Sequence, residues 1–161
     1  MNEQDYLLGI DVGSTTVKVA IMDQVGEILY SEYRRHFARI QETLAEVLRR
    51  ASEKLGSIPV LPAITGSGGM ALAQAMKIPF VQEVIAVSES LDRRYPQTDV
   101  AIELGGEDAK ILYLTGGRDQ RMNGICAGGT GSFIDQMAAL LGTDAEGLNE
   151  YARNYKRIYP I

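Results

Sequence analysis

Two short segments carry side chains suited to binding phosphate and a divalent cation. In the first, Asp11-Val12-Gly13-Ser14-Thr15-Thr16-Val17-Lys18, glycine tolerates the dihedral angles that turn consecutive backbone N–H groups toward an anion. The candidate phosphate ligands are Gly13, the hydroxyl residues Ser14, Thr15 and Thr16, and Lys18. Asp11 could hold Mg²⁺ through water, as hard carboxylate oxygens do. The segment lacks the G-x4-G-K-S/T pattern of a P-loop, so an ordinary β-turn stays the alternative.

The second segment, Glu103-Leu104-Gly105-Gly106-Glu107-Asp108-Ala109-Lys110, repeats the pattern of the first at a shift of 92 positions, from 11 to 103. An acidic residue, a glycine two positions later and a lysine five positions beyond that recur between apolar runs. Two hairpins of one design indicate duplicated domains. Glu103, Gly105 and Gly106 are therefore candidate nucleotide ligands, whereas Lys110 fits the end of a strand better than a phosphate contact.

The only cysteine, Cys126, precedes a glycine-rich turn in Asn123-Gly124-Ile125-Cys126-Ala127-Gly128-Gly129-Thr130-Gly131-Ser132-Phe133. A single cysteine cannot form an internal disulfide, so the sequence gives no sign of an oxidising compartment. On residue types alone, Cys126 is either a small buried side chain or a metal-binding thiolate. The apolar side chains of the following helix, Phe133, Met137, Leu140 and Leu141, are assigned to core or dimer packing.

Apolar periodicity predicts the elements that position these segments. Strands are expected at 6–10, 16–22, 27–33, 60–65, 100–104 and 109–114, and helices at 40–55, 70–76, 84–95, 130–141 and 144–155. This order of strands and helices is typical of an α/β fold. Pro96 marks a boundary between a first domain, 1–96, and a second, 97–161.

Composition and charge exclude several classes of protein. With 45% hydrophobic residues, 161 residues can bury a core, and the net charge of −5 argues against a nucleic-acid or anionic membrane surface. The basic run from Tyr33 to Arg39 is interpreted as a solvated strand end. The polar start and the lack of a long apolar run predict a cytoplasmic protein with no membrane segment.

The two loops together resemble those of a known superfamily. The Asp11 loop is similar to the first phosphate loop of acetate and sugar kinases, heat-shock chaperone ATPases and actin. The Glu103 loop resembles the form found in activators of 2-hydroxyacyl-CoA dehydratases and in ATPase subunits of benzoyl-CoA reductases. The segment around Cys126 is similar to an activator signature in which a cysteine ligates an iron–sulfur cluster. The resemblance implies an actin-like (ribonuclease H-like) ATPase domain, duplicated, with the second copy incomplete.

The resemblance also implies a function. Family members bind Mg-ATP between two domains, and ATP and ADP favour different domain angles. Their homodimers share one [4Fe–4S] cluster, to which each protomer gives two cysteines, and pass an electron to a dehydratase or reductase partner. This chain has one cysteine, and the family's second cysteine and adenosine loop lie further along. We therefore expect a segment of a longer polypeptide that is inactive alone.

Some positions depart from the family pattern. Glu103 and Glu107 stand where many relatives have aspartate and glutamine, which leaves both Glu107 and Asp108 as candidates for positioning the attacking water. One alternative function is a small-molecule kinase of the same superfamily, against which Cys126 in its glycine-rich setting speaks. Another is a non-catalytic half that folds and associates but hydrolyses nothing.

Overall fold

A computed structural model describes residues 5–117, 119–123 and 129–158. Within these ranges the strands are β1 (Tyr6–Val12), β2 (Thr16–Met22), β3 (Ile28–Arg35), β4 (Val60–Thr65), β5 (Val100–Leu104), β6 (Ala109–Tyr113) and β7 (Asp119–Met122). The helices are α1 (Ile40–Leu55), α2 (Gly69–Met76), α3 (Glu83–Arg94), α4 (Gly131–Leu140) and α5 (Ala145–Arg153). The predicted α/β order and its elements are confirmed within one or two residues at most ends. Strand β7 was not predicted, because its four residues are all exposed and lack apolar alternation.

The chain separates into two compact units, Met1–Ala101 with Leu112–Gln120 and Ile102–Ile111 with Arg121–Ile161. The first contains a four-stranded sheet in the order β3-β2-β1-β4. Strand β1 pairs antiparallel with β2 and parallel with β4. A tight turn suffices for the antiparallel pair, whereas the parallel pair needs a longer crossover, which includes α1. The carboxyl ends of β1 and β4 consequently meet at one edge of the sheet.

One face of this sheet forms the core of the first unit. Alternate strand residues point to it, among them Ile10, Val12 and Val19, which are at most 2% exposed. Helix α1 covers this face with residues at helical spacing, including Leu44 and Val47. Burial of this apolar stripe, more than intrinsic propensity, stabilises the helix.

The opposite face of the sheet borders a cleft of about 620 Å³. Residues one position out of phase with the core line it, including Gly9, Asp11, Lys18 and Thr65, and α3 contributes Glu89. The period of two along each strand therefore gives the sheet a second face, which is lined mostly by apolar atoms and carries Asp11, Lys18 and Thr65 among them.

Ion pairs connect the edge strand β3 to α1. Arg34 contacts Glu46 at 3.0 Å, and Arg50 contacts both Glu46 at 3.0 Å and Glu32 at 3.5 Å. The hydrogen bond from Arg34 lowers the pKa of the Glu46 carboxyl. Arg34 therefore ties the basic run to the helix. The interpretation of the run as a solvated strand end agrees with the exposed Tyr33, Arg35, Phe37 and Arg39, but it is wrong for His36, which is only 4% exposed.

The remaining sheet has the order β5-β6-β7 and contains residues of both units. The strand residues of the second unit lie in the same unit as α4 and α5, and these two helices contact each other. On α4 only Ala138 is buried, while Phe133 and Leu140 are exposed. Within the described part of this chain, the prediction that this apolar face packs in the core is therefore wrong, and dimer packing stays a prediction. The domain boundary expected at Pro96 stays a prediction, and no helix in the described ranges is long and apolar enough to cross a membrane.

Candidate functional site

The first glycine turn is closed by its own backbone. The Gly13 N–H donates to the Thr16 carbonyl at 2.9 Å, so β1 passes directly into β2. Three other carbonyls near the turn accept hydrogen bonds from, or lie close to, donors in other segments of the first unit. Val12 O accepts from the Gly68 N–H at 2.8 Å, Thr15 O accepts from the His36 N–H at 3.1 Å, and Gly13 O lies 3.2 Å from the His36 ring.

These bonds determine which groups the loop offers to a ligand. A carbonyl oxygen carries partial negative charge and would repel phosphate, whereas an N–H group attracts it. The carbonyls of Val12, Gly13 and Thr15 are occupied by protein donors. Among the residues described, the Ser14 and Thr15 N–H groups have no hydrogen-bond partner. The loop can therefore donate to an anion without first breaking an internal bond.

A carboxylate and a hydroxyl lie next to this loop. Asp11 and Thr65 are register partners on the parallel strands β1 and β4. Asp11 Oδ2 accepts from Lys18 Nζ at 2.7 Å. In the described part of the chain, Asp11 Oδ1 and Thr65 Oγ1 are buried without a hydrogen-bond partner. Because buried polar atoms are normally paired, these two oxygens indicate a missing partner at the carboxyl ends of the strands.

The chemistry of this donor set fits a hydrated Mg²⁺ ion. Mg²⁺ prefers oxygen ligands and usually keeps several waters, so it takes only one or two protein carboxylates. Across the described ranges, no group of three or more His, Cys, Asp or Glu side chains is arranged to hold a metal ion. Contact through water, from Asp11 with Thr65 beside it, is the mode that the residues allow.

Gly66 brings the segment after β4 against the first loop. Its φ of +92° lies in a region that side chains disfavour, and a Cβ there would lie 2.4 Å from both Asp11 Oδ1 and the Val12 carbonyl. Only glycine permits this approach. Thr65, Gly66, Gly68 and His36 were not predicted as site residues from the sequence. The run Gly66-Ser67-Gly68-Gly69 was the signal that could have indicated the glycines among them.

The second glycine turn repeats the first. The Gly105 N–H donates to the Asp108 carbonyl at 2.8 Å, at the same shift of 92 positions from the bond between Gly13 and Thr16. Here the start of α4 holds the loop carbonyls, since the Gly131 and Ser132 N–H groups donate to Gly105 O and Gly106 O at 3.1 and 2.7 Å.

The charged residues of the second loop differ in their surroundings. Lys110, whose side chain is 7% exposed, lies 3.2 Å from Asp108 Oδ2 and 3.7 Å from Glu103 Oε1. This pairing of Lys110 with Glu103 corresponds to that of Lys18 with Asp11. Asp108 Oδ1 also packs on Gly105, where a Cβ would lie 2.4 Å from it. Glu107 is exposed and makes no ion pair with any described residue.

The iron–sulfur assignment concerns Cys126, which lies outside the described residues. The chain contains one cysteine, and a [4Fe–4S] cluster normally takes four cysteine ligands. The residues of this chain therefore do not by themselves fit such a cluster. Of the other predicted ligands, those of the first loop lie in one compact unit and those of the second loop in the other.

Comparison with known proteins finds activators of CoA-substrate dehydratases among the relatives of this chain. The 2-hydroxyisocaproyl-CoA dehydratase activator of Clostridioides difficile is 31% identical over 158 residues, which cover 92% of this chain and 57% of that protein. The (R)-2-hydroxyglutaryl-CoA dehydratase activating ATPase of Acidaminococcus fermentans is 30% identical over 159 residues, which cover 95% of this chain and 60% of that protein. The chain thus spans less than two thirds of these relatives.

Solved structures agree with the sequence relatives. The structure of the Clostridium difficile activator of 2-hydroxyisocaproyl-CoA dehydratase, with bound ADPNP, superposes with a TM-score of 0.77 at 26% identity. That match covers 97% of this chain and 59% of the other. The α/β fold is therefore that of the activator ATPases. Since the model of the BadF/BadG/BcrA/BcrD ATPase family also matches residues 8–156, nearly the whole chain, this protein belongs to that family.

Proposed function

We propose that this chain is the phosphate-binding part of an ATP-hydrolysing activator. In that activator, hydrolysis is coupled to electron transfer from a [4Fe–4S] cluster to a 2-hydroxyacyl-CoA dehydratase or a benzoyl-CoA reductase-like partner. The observation that carries the proposal is the pair of buried oxygens, Asp11 Oδ1 and Thr65 Oγ1, beside a loop whose carbonyls are held away from the ligand side. In a Mg-nucleotide, the hydrated cation would partner the two oxygens, and the phosphate would accept from the N–H groups of the loop.

In this proposal each first-loop residue has a separate role. The N–H groups of Ser14 and Thr15 and the nearby hydroxyls donate to phosphate oxygens. Lys18, 2.7 Å from Asp11, balances charge between the carboxylate and the phosphate. Asp11 and Thr65 hold Mg²⁺ through its water ligands, and the bound ion supplies neutralisation of phosphate charge.

For the second loop we propose that Glu107, and not Asp108, orients the attacking water. Asp108 is committed to Lys110 and packs on Gly105, so it maintains the turn. Glu107 is the carboxylate beside it that stays exposed and unengaged by other charges within the described residues. The shared turn and ion-pair pattern of the two loops supports a duplicated actin-like domain, of which this chain carries the second copy only in part.

We further propose that Cys126 is one ligand of the cluster and that a homodimer provides two such thiolates. Two thiolates are fewer than four, so the remaining ligands come from outside this chain. Support comes from the relatives, which are named as activators of 2-hydroxyisocaproyl-CoA and (R)-2-hydroxyglutaryl-CoA dehydratases. A dehydratase of this class is accordingly the proposed partner.

Calorimetric titration of the chain with ATP, with and without Mg²⁺, tests the nucleotide site. Wild type should bind more tightly with Mg²⁺, and Asp11→Asn should lose most of that Mg²⁺ dependence because the amide holds the hydrated ion poorly. Glu53→Gln, the same change of carboxylate to amide on the exposed face of α1, is the control. Absence of wild-type binding, or equal Mg²⁺ dependence in Asp11→Asn, would contradict the proposal.

A further inference from the structure

The only histidine of the chain, His36, lies directly behind the first loop. It follows the last residue of β3 and is 4% exposed, although its neighbours Arg35 and Phe37 are exposed. A buried imidazole must find partners for both ring nitrogens, because an unpaired buried polar group is costly. The partners of this ring therefore show what it does.

The contacts of His36 determine its protonation state. Ring Nδ1 lies 3.1 Å from the backbone N–H of Ala38, which can only donate, so Nδ1 accepts and carries no proton. Neutral imidazole then carries its proton on Nε2. That nitrogen lies 3.2 Å from the Gly13 carbonyl, which can only accept, and so Nε2–H donates to it. The neutral Nε2–H tautomer satisfies both contacts.

The backbone of His36 holds the same loop. Its N–H donates to the Thr15 carbonyl at 3.1 Å. One residue therefore binds two carbonyls of the four-residue turn, and these carbonyls flank the N–H groups of Ser14 and Thr15. Because Gly13 O and Thr15 O are directed to His36, neither carbonyl accepts a hydrogen bond from the N–H groups between them.

A strained turn keeps the ring in this position. Phe37 and Ala38 have φ values of 46° and 63°, although neither is glycine, and the Arg39 N–H closes the turn on the His36 carbonyl at 2.7 Å. Two consecutive positive φ values are typical of a type I′ turn, which favours glycine and asparagine. Strain of this kind persists only when surrounding contacts impose it, and it is concentrated at functional sites.

We propose that His36 is a positioning residue for phosphate binding: its neutral ring holds the Gly13 carbonyl away from the ligand, so that the Ser14 and Thr15 N–H groups donate to a nucleotide phosphate. This role rests on the proposed function of the first loop. His36 itself touches no phosphate. Its effect is on the arrangement of the loop before the nucleotide arrives, which lowers the ordering cost of binding.

Two substitutions distinguish the hydrogen bond of Nε2 from that of Nδ1. In His36→Gln the side-chain amide nitrogen reaches as far as Nε2 and can still donate to Gly13 O, while the N–H of Ala38, an exposed residue, can donate to water. In His36→Asn the shorter side chain can accept from Ala38 but does not reach the Gly13 carbonyl. Gln should therefore bind Mg-ATP within about twofold of wild type, and Asn roughly tenfold more weakly, as expected for one lost hydrogen bond.

Thermal unfolding of both variants distinguishes positioning from general stability. If the weaker binding of the Asn variant followed only from lost stability, affinity would follow the melting temperatures of the two variants. If His36 positions the loop, affinity should follow the Gly13 contact even where the melting temperatures agree. Equal affinity of both variants and wild type, or weaker binding by Gln than by Asn, would overturn the positioning role.

Nitrogen NMR of the wild-type ring gives an independent test that needs no variant. Labelling with ¹⁵N-histidine reports on His36 alone, since the chain has no other histidine. The expected spectrum shows a protonated Nε2 and an unprotonated Nδ1, and the Nε2 resonance should shift when Mg-ATP is added. A proton on Nδ1 overturns the positioning role whatever the binding result. Failure of wild type to bind Mg-ATP while the ring has the expected tautomer overturns instead the proposed nucleotide function.

Discussion

The conformation of the first loop depends on the absence of a side chain at Gly66. Two features restrict this position, a φ of +92° and the close approach of Asp11 Oδ1 and the Val12 carbonyl. Gly66→Ala should lower the free energy of unfolding by roughly 3 kcal/mol, from backbone strain together with the steric clash. Chemical denaturation of the two proteins measures this difference, and Mg-ATP affinity should fall with it because Asp11 must move.

Gly56 provides the matched control for that prediction. Its φ of +75° is similar, but a Cβ there would meet no atom within 4 Å. Its ψ of −167° places Gly56 in a region that essentially only glycine adopts, so Gly56→Ala should cost the backbone strain alone, about 2 kcal/mol, and leave nucleotide affinity unchanged. Equal losses of stability in the two variants would show that contact with Asp11 and Val12 does not restrict Gly66.

The neighbouring carboxylates of the second loop should respond differently to the same change. Asp108→Asn removes the charge 3.2 Å from the buried Lys110 ammonium and should lower the free energy of unfolding by about 1 kcal/mol. Glu107→Gln should leave stability within about 0.5 kcal/mol, as for most surface substitutions. Denaturation curves compare them, and a larger loss for Glu107→Gln would reverse the assignment of the two residues.

At the scale of elements, Tyr30 connects β3 to α1. Its hydroxyl donates to Glu32 and lies 3.4 Å from the Val47 carbonyl on the helix. Burial, together with the hydrogen bond to Glu32, raises the pKa of Tyr30 from 10.0 to about 12. Because the folded pKa exceeds the unfolded one, this group's contribution to stability is complete below pH 10 and is lost as the pH rises toward 12.

Unfolding measured between about pH 9 and about pH 12 tests this linkage. Tyr30→Phe should show a smaller decrease in stability across that window than wild type, since phenylalanine has no proton to lose. Tyr33→Phe makes the same change on the same strand, at a side chain that is 62% exposed, and should follow the wild-type curve. A Tyr30→Phe curve parallel to wild type would contradict the attribution to this phenol.

The sequence predicted elements well wherever apolar residues repeat with one period. Helix α1 begins and ends where expected because Leu44, Val47 and Ala51 recur at helical spacing and Gly56 follows. The four residues of β7 carry no such pattern, so only their pairing in the folded chain makes them a strand.

Only the residues of the site that are contiguous in sequence were predicted. Asp11 and the loop after it are contiguous, so their chemistry is visible in the sequence. Thr65 and Gly66 reach them only through the parallel pairing of β4 with β1, a contact between distant parts of the chain. His36 was not predicted because the arginines around it indicate an exposed segment. Its inward position depends on positive φ values at Phe37 and Ala38, which their residue types do not favour.

At the scale of the whole molecule, the two loops share more than a sequence pattern. Each closes with an N–H to carbonyl bond across four residues, and each places a lysine beside an acidic residue one strand away. The positions differ by the same 92 residues in every case. Repetition of both the backbone bond and the ion pair supports the proposed duplication.

Cys126 gives a prediction that belongs to the assembled protein. Because a [4Fe–4S] cluster normally takes four ligands, this chain should retain little iron after anaerobic incubation with iron and sulfide, and more when a small thiol supplies the missing ligands. Iron that elutes with the protein on gel filtration is the measurement. Cys126→Ala should retain none under either condition, since it lacks the thiolate that we propose as a cluster ligand. Equal iron in Cys126→Ala and wild type would exclude Cys126 as a ligand. It would leave the ATP-binding proposal, which depends on Asp11 and the first loop, unaffected.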